Sequence, residues 1–149
     1  MSRVALGADH AGLPLCDTVR ALLKQKGHDL VDYSPDPGVK VDYPDYAKKV
    51  AEAVQERKAD VGILICGSGI GMAISANKHA GVRAVCANDI YSAKMSRLHN
   101  DCNVLCFGAR IIGPGVAEMI VETFLQTAFE GGRHAARVAM LDAPLLKGQ

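Results

Sequence analysis

The stretch of this sequence best suited to chemistry is Cys66-Gly67-Ser68-Gly69-Ile70-Gly71. Three glycines at alternate positions follow an apolar run and open a helical segment. They leave backbone N–H groups free to point into one concavity, an arrangement that holds anions. Cys66 begins the turn, so the positive end of the following helix is expected to favour its thiolate and lower its pKa. A thiolate beside such a nest can take a proton from a carbon next to a carbonyl while the amides hold the oxyanion that develops. The bland alternative is a tight strand-to-helix turn that needs positive φ and nothing more. G-x-G-x-G is not the dinucleotide fingerprint, and no Gly-Lys-Ser/Thr follows as in a Walker loop. Met72 stands where a Cys-x5-Arg phosphatase needs arginine.

Other candidates lie elsewhere along the chain. His10 follows Asp9, and His99-Asn100 closes a helical segment before a strand, although a lone histidine is often a surface or cap residue. Arg133 and Arg137 are four apart after Gly131-Gly132, which puts both on one helical face able to grip a phosphate bidentately. A solvated helix face is the plainer reading of that pair. Taken together, the residues suggest a small phosphorylated substrate, a base and an oxyanion nest.

The elements that must position these groups follow from periodicity. Strands are expected at Arg3 to Ala8, Asp29 to Tyr33, Val61 to Cys66, Arg83 to Cys86 and Val104 to Phe107. Helices are expected at Leu13 to Lys26, Pro44 to about Arg57, Met72 to His79, Asp89 (as cap) to about His99, Pro114 to Phe129 and Arg133 to Leu141. Leu15, Val19, Leu22 and Leu23 make one buried face of the first helix. Val61 to Cys66 is uninterruptedly apolar, as in a central parallel strand covered on both sides. Alternating strands and helices imply a three-layer α/β/α architecture on a five-stranded parallel, Rossmann-like (flavodoxin-like) sheet, with a protruding C-terminal helix. Asp9-His10, Cys66 to Gly71 and Asn88-Asp89 all sit at strand ends, where ligands bind in such sheets, and are expected to converge.

Composition narrows the function classes. With 149 residues, 17 basic against 16 acidic, a formal charge of +1 and 49% hydrophobic residues, the chain reads as one domain over 1–149. Near-neutral charge without a basic run argues against nucleic acid. No run of about 18 apolar residues or signal-like amino terminus is present, so a cytoplasmic protein without a membrane segment is expected. Cys16, Cys66, Cys86, Cys102 and Cys106 contain no Cys-x-x-Cys pair, which argues against zinc and dithiol chemistry. Apart from Cys66 they read as packing residues.

Asp9-His10-Ala11-Gly12, Asp42-Tyr43-Pro44, Ile65 to Gly71, Asn77-Lys78, Gly81 to Ala84, Ser96-Arg97-x-His99-Asn100 and Gly131-Gly132-Arg133-His134-x-x-Arg137, in this order, resemble the ribose-5-phosphate isomerase B family. That family lies within the sugar-phosphate isomerase group that includes the galactose-6-phosphate isomerase subunits. The resemblance spans Val4 to about Met140. It implies interconversion of ribose 5-phosphate and ribulose 5-phosphate through an enediolate, without metal or organic cofactor. By that match Cys66 is the base, Ser68 shuttles the hydroxyl proton, and the amides of Gly67, Gly69, Ile70 and Gly71 hold the enediolate. His99, with Asp9 across the ring, opens the furanose. Tyr43 and Asn100 bind the sugar, His10, Arg110, Arg133 and Arg137 the phosphate, and His134 belongs to the binding residues. The resemblance also implies a homodimer, or a tetramer of two such dimers, in which His99, Asn100 and Arg110 reach a partner's Cys66. Two alternatives stand beside it: the same chemistry on a six-carbon sugar such as allose 6-phosphate, and a non-catalytic sugar-phosphate-binding module.

Overall fold

The computed structural model describes residues 1–147, so the last two residues of the expected 1–149 unit lie outside the described residues. Its strands are β1 (Arg3–Ala8), β2 (Asp29–Asp32), β3 (Val61–Cys66), β4 (Ala84–Cys86) and β5 (Val104–Gly108). Its helices are α1 (Leu13–Lys26), α2 (Tyr43–Gln55), α3 (Ile70–Ala76), α4 (Ile90–Asn100), α5 (Pro114–Gln126) and α6 (Arg133–Lys147). All strands pair in parallel, in the order β2-β1-β3-β5-β4. Chain direction across the sheet reverses between β1 and β3, and their register sets Ala8 beside Ile65. The ends of these two strands therefore open the crevice in which a parallel α/β sheet binds its ligands.

Two apolar layers enclose the sheet, as the three-layer expectation requires. On one face Leu15, Val19 and Leu23 of α1, Ala93 of α4 and Ile120 and Phe124 of α5 pack against Leu6, Ile63, Ile65 and Phe107. On the other, Ala47, Val50 and Ala51 of α2 and Met72, Ala73 and Ala76 of α3 cover Ala5, Leu64 and Val104. Ile63, Leu64 and Ile65 are wholly buried, each contributing about 1.5–3 kcal/mol through loss of water contact. Helix α1 begins with Pro14 in its first turn and ends at Gly27, whose left-handed backbone returns its N–H to Leu23 O and Lys24 O.

Several boundaries differ from the sequence expectation, each for a local reason. Helix α3 starts at Ile70 rather than Met72, because Gly69 already turns the chain. It ends at Ala76 instead of His79, because the Asn77 amide closes onto both Ala84 O (2.9 Å) and Ala84 N (2.8 Å). Helix α2 starts at Tyr43 and stops at Gln55, just before Arg57 adopts φ +57°. Strand β4 starts at Ala84, since the Arg83 N–H is taken by Asn103 Oδ1 at 2.8 Å. Strand β2 ends at Asp32, and β5 runs on to Gly108. Helix α4 reaches Asn100, with Asp89 Oδ1 capping Ser92 N–H at 2.6 Å as expected. Helix α5 stops at Gln126, where Thr127 becomes extended and its hydroxyl donates to Thr123 O. Helix α6 passes Leu141 to Lys147 and protrudes, leaving Met140 and Leu141 exposed. It is tied back by Arg83, whose Nη1 lies 2.9 Å from Asp142 Oδ2 while Nη2 lies 3.1 Å from Asp101 Oδ2. Among the described residues no helix is long and apolar enough to cross a membrane.

Candidate active site

A cleft of about 620 Å³ lies at the β1/β3 reversal, lined among others by Asp9, His10, Tyr43, Cys66, Ser68 and Arg110. Strand β3 delivers Cys66 to its wall, with the residue 5% exposed and its sulfur turned to the glycine turn. Gly69 N–H donates to Cys66 Sγ at 3.1 Å, so the sulfur is an acceptor, the role a thiolate fills best. This contact needs Gly69 at φ +84°, and a Cβ there would lie 2.7 Å from Phe107 Cα. Only glycine meets both conditions.

The remaining amides divide into two sets. Ile70 N–H donates to Ser68 Oγ at 3.2 Å and is occupied within the turn, as is that of Gly69. The Gly67, Ser68 and Gly71 N–H groups donate to nothing among the described residues. The Gly67, Ser68 and Gly71 donors are thus the ones open to an oxyanion, while those expected from Gly69 and Ile70 are engaged within the turn. With α3 only 7 residues long, individual N–H groups matter more than a helix dipole. The ring of Tyr43 lies where a Cβ on Gly71 would stand, 2.7 Å from Cε2, so a side chain there would displace it.

The β1 end contributes Asp9, 7% exposed, whose Oδ1 accepts Gly12 N–H at 2.9 Å and so fixes the entry to α1. His10 is exposed, and its Nδ1 accepts Val41 N–H at 3.2 Å. Arg110 was expected to reach across to a partner's cleft, but it lines the cleft of its own chain. Ala109 N–H donates to Cys66 O at 2.9 Å and Arg110 N–H to Gly67 O at 3.1 Å, which fastens Arg110 over the glycine turn. Asn88, expected at the converging strand ends but given no task there, braces the same turn: Nδ2 donates to Ser68 O at 3.1 Å and Oδ1 accepts Gly108 N–H at 2.8 Å. Its position after β4 was the available signal.

The other candidates do not line this cleft. Asn100 borders a separate hollow with Arg83 and Asp142. Arg133 and Arg137 are exposed on α6. His99 and His134 stack, with ring centroids 4.3 Å apart and planes 15° from parallel, beside Glu130. The site residues therefore form two groups on one chain, a sulfur-and-amide group and an imidazole-and-guanidinium group.

The other four cysteines are poor nucleophiles. Burial pushes the thiol of Cys16 up to about 12 and that of Cys102 to about 11, and raises those of Cys86 and Cys106 as well.

Comparison with known proteins accords with this geometry. Residues 4–141 match the model of the ribose/galactose isomerase family. The chain is 46% identical over 143 residues to ribose-5-phosphate isomerase B of Escherichia coli (strain K12), covering 96% of each. It is 45% identical over 139 residues to a D-erythrulose-4-phosphate isomerase of Pectobacterium atrosepticum, covering 93% of this chain and 91% of that one. The structure of ribose-5-phosphate isomerase B from Clostridium thermocellum superposes with a TM-score of 0.96 at 42% identity, covering 99% of both chains. That of type B ribose 5-phosphate isomerase from Trypanosoma brucei gives 0.92 at 47%, covering 95% and 97%.

Proposed function

The chain belongs to the ribose/galactose isomerase family, and on that premise we propose that it interconverts ribose 5-phosphate and ribulose 5-phosphate, with Cys66 as the base. The observation that carries the assignment of the base is the Cys66 sulfur, accepting Gly69 N–H at 3.1 Å in the wall of the cleft. The thiolate takes the proton from C2 of the open aldose, the C2 electrons form the enediolate, and the Cys66 thiol, whose proton exchanges with solvent in the meantime, delivers a proton to C1. Ser68 carries the hydroxyl proton between O1 and O2. The free N–H groups of Gly67, Ser68 and Gly71 hold the enediolate oxygens, each worth about 3 kcal/mol if aimed at the developing charge. A positioned base adds about 10²-fold or more. Base and donors all come from the chain, so the chemistry calls on no metal or organic cofactor.

His99, Asn100, Arg133, His134 and Arg137 lie outside the cleft of their own chain, and Ile70, Ile74 and Ile111 form an exposed apolar rim around it. These features support a homodimer in which His99 of the partner subunit opens the furanose with Asp9, while Tyr43 of the cleft itself and Asn100 of the partner subunit hold the sugar. His10 and Arg110, with Arg133 and Arg137 of the partner subunit, then hold the phosphate, beside His134 of the partner subunit. We further place this single-domain isomerase in the cytoplasm, in keeping with its five free cysteines.

In D2O the wild type is expected to put deuterium into ribulose 5-phosphate, and Cys66→Ala to lose this while still binding inorganic phosphate. A Cys66→Ala enzyme of undiminished rate removes the assigned base. Mixing inactive Cys66→Ala and His99→Asn chains tests sharing of the site, since random pairing restores about a quarter of wild-type activity. The 45% identity to a four-carbon sugar-phosphate isomerase makes chain length the open specificity question, read by kcat/KM on four-, five- and six-carbon sugar phosphates.

A further inference from the structure

Glu130 is the titratable residue of the imidazole group that the chemistry above leaves without a task. Its Oε2 lies 3.9 Å from His99 Nε2 and 3.8 Å from His134 Nε2. Its N–H donates to Leu98 O at 3.1 Å, which fastens this part of the α5–α6 loop to α4 next to His99. The His134 side chain is 7% exposed and its Nε2 has no hydrogen-bond partner among the described residues, whereas His99 is 39% exposed and lies flat against it. One carboxylate thus faces the same ring nitrogen on two stacked imidazoles.

We propose that Glu130 is a positioning residue for furanose opening: facing Nε2, it holds the His99 ring on the His134 platform and leaves Nδ1 to the sugar. The inference rests on the reading of His99 as the ring-opening group. A half-exposed imidazole has several rotamers available, and a stacked neighbour together with a carboxylate facing Nε2 favours one of them. A carboxylate opposite Nε2 also favours the tautomer carrying its proton there, so that the Nδ1 lone pair faces the substrate. In the step served, the C1–O4 bond breaks and its electron pair stays on O4, while C1=O1 forms. The O1 hydroxyl proton is removed and O4 receives one, so the net change is a proton moved from O1 to O4.

Two histidines and a carboxylate are also a zinc donor set. Here Arg133 and Arg137 add positive charge from α6, and Arg97 of α4 is turned to Thr127 O and Cys102 O. Burial, and then the charges of His99, Arg133 and Arg137, hold the His134 imidazole below its ordinary pKa. A divalent cation meets the same repulsion, so the cluster suits a neutral His134 platform better than a metal.

The test compares two rates in each variant. Turnover of ribose 5-phosphate requires ring opening. Exchange of the C1 hydrogen of ribulose 5-phosphate with D2O does not, because that ketose carries its phosphate on the oxygen that would close a furanose. Glu130→Gln is expected to lower turnover by at least about tenfold while exchange stays within about twofold, the pattern of a misplaced ring-opening group. Glu130→Asp, which keeps the charge one methylene away, should regain part of the turnover. Unchanged turnover, or an equal loss of both rates, overturns the proposal. His99→Asn separates the causes. If it too lowers both rates alike, the ring-opening reading of His99 has failed; if its loss is confined to turnover, only the assignment of Glu130 has.

Discussion

Asn88 grips the main chain of Ser68 and the end of β5 together, donating from Nδ2 to Ser68 O at 3.1 Å and accepting Gly108 N–H on Oδ1 at 2.8 Å. The glycine turn is thus braced by Asn88 as well as by the Arg110 N–H on Gly67 O. Asn88→Ala leaves both backbone groups without this partner, a cost of about 1–3 kcal/mol in unfolding free energy. The free N–H groups should lose their aim as well, lowering kcat by about tenfold or more with little change in KM. Urea unfolding and steady-state kinetics on one preparation give both numbers.

Gly69→Ala should be the more severe change. The new Cβ would sit in the left-handed region and against Phe107 backbone, which cannot swing aside as a side chain can. Strain of about 1–3 kcal/mol is expected, with turnover reduced beyond what lost folding explains, because the Gly69 N–H that contacts Cys66 would move. Retained activity at reduced stability would show that this contact is dispensable.

Iodoacetamide at neutral pH should modify Cys66 before the rest. Burial keeps Cys16 and Cys102 protonated, with thiols near 12 and 11, and Cys106 is wholly enclosed. Peptide mass spectrometry should find the label on Cys66 first, with activity falling in step and ribose 5-phosphate slowing both. First labelling at Cys86, the half-exposed thiol beside the turn, would count against the assigned base.

Acid should weaken the fold partly through His134. Its imidazole is held below the ordinary value in the folded protein, so on acidification the unfolded chain takes up the proton first. The contribution of neutral His134 is therefore complete above about pH 6.5 and is lost as the pH drops through the interval just below. His134→Gln should lose less stability than the wild type between about pH 7.5 and 5.5, measured by urea unfolding. An unchanged slope would mean that another group governs this range.

How much of this was readable beforehand depends on how local each signal is. The bounds of β1, α1 and β3 follow from an apolar run, a Pro near one helix end and a Gly at the other, all inside the segment concerned. Helix α3 differs from the expectation at both ends because Gly69 turns against Phe107, 38 residues on, and Asn77 pairs with Ala84, which lies beyond the helical segment and in the next strand. The sulfur, the glycine turn and the β1 end could be expected to meet, since a parallel sheet places strand ends on one edge. The division of the candidates into two groups could not, because it depends on where α4 and α6 lie relative to that edge. Glu130 carries no motif of its own and acquires significance only when two histidines 35 residues apart in sequence stack beside it.

Helix α6 has one further consequence. About 22 Å of helix, at 1.5 Å per residue, starts with the two arginines and is anchored about two-thirds of the way along by Asp142 on Arg83. On the proposed arrangement the span from sulfur to guanidinium is set by how two copies seat against each other, not by the walls of either cleft. Substrate length is then gauged across a joint, and a few altered contacts at that joint would retune the gauge for a shorter or longer sugar while every proton-handling atom stays where it is.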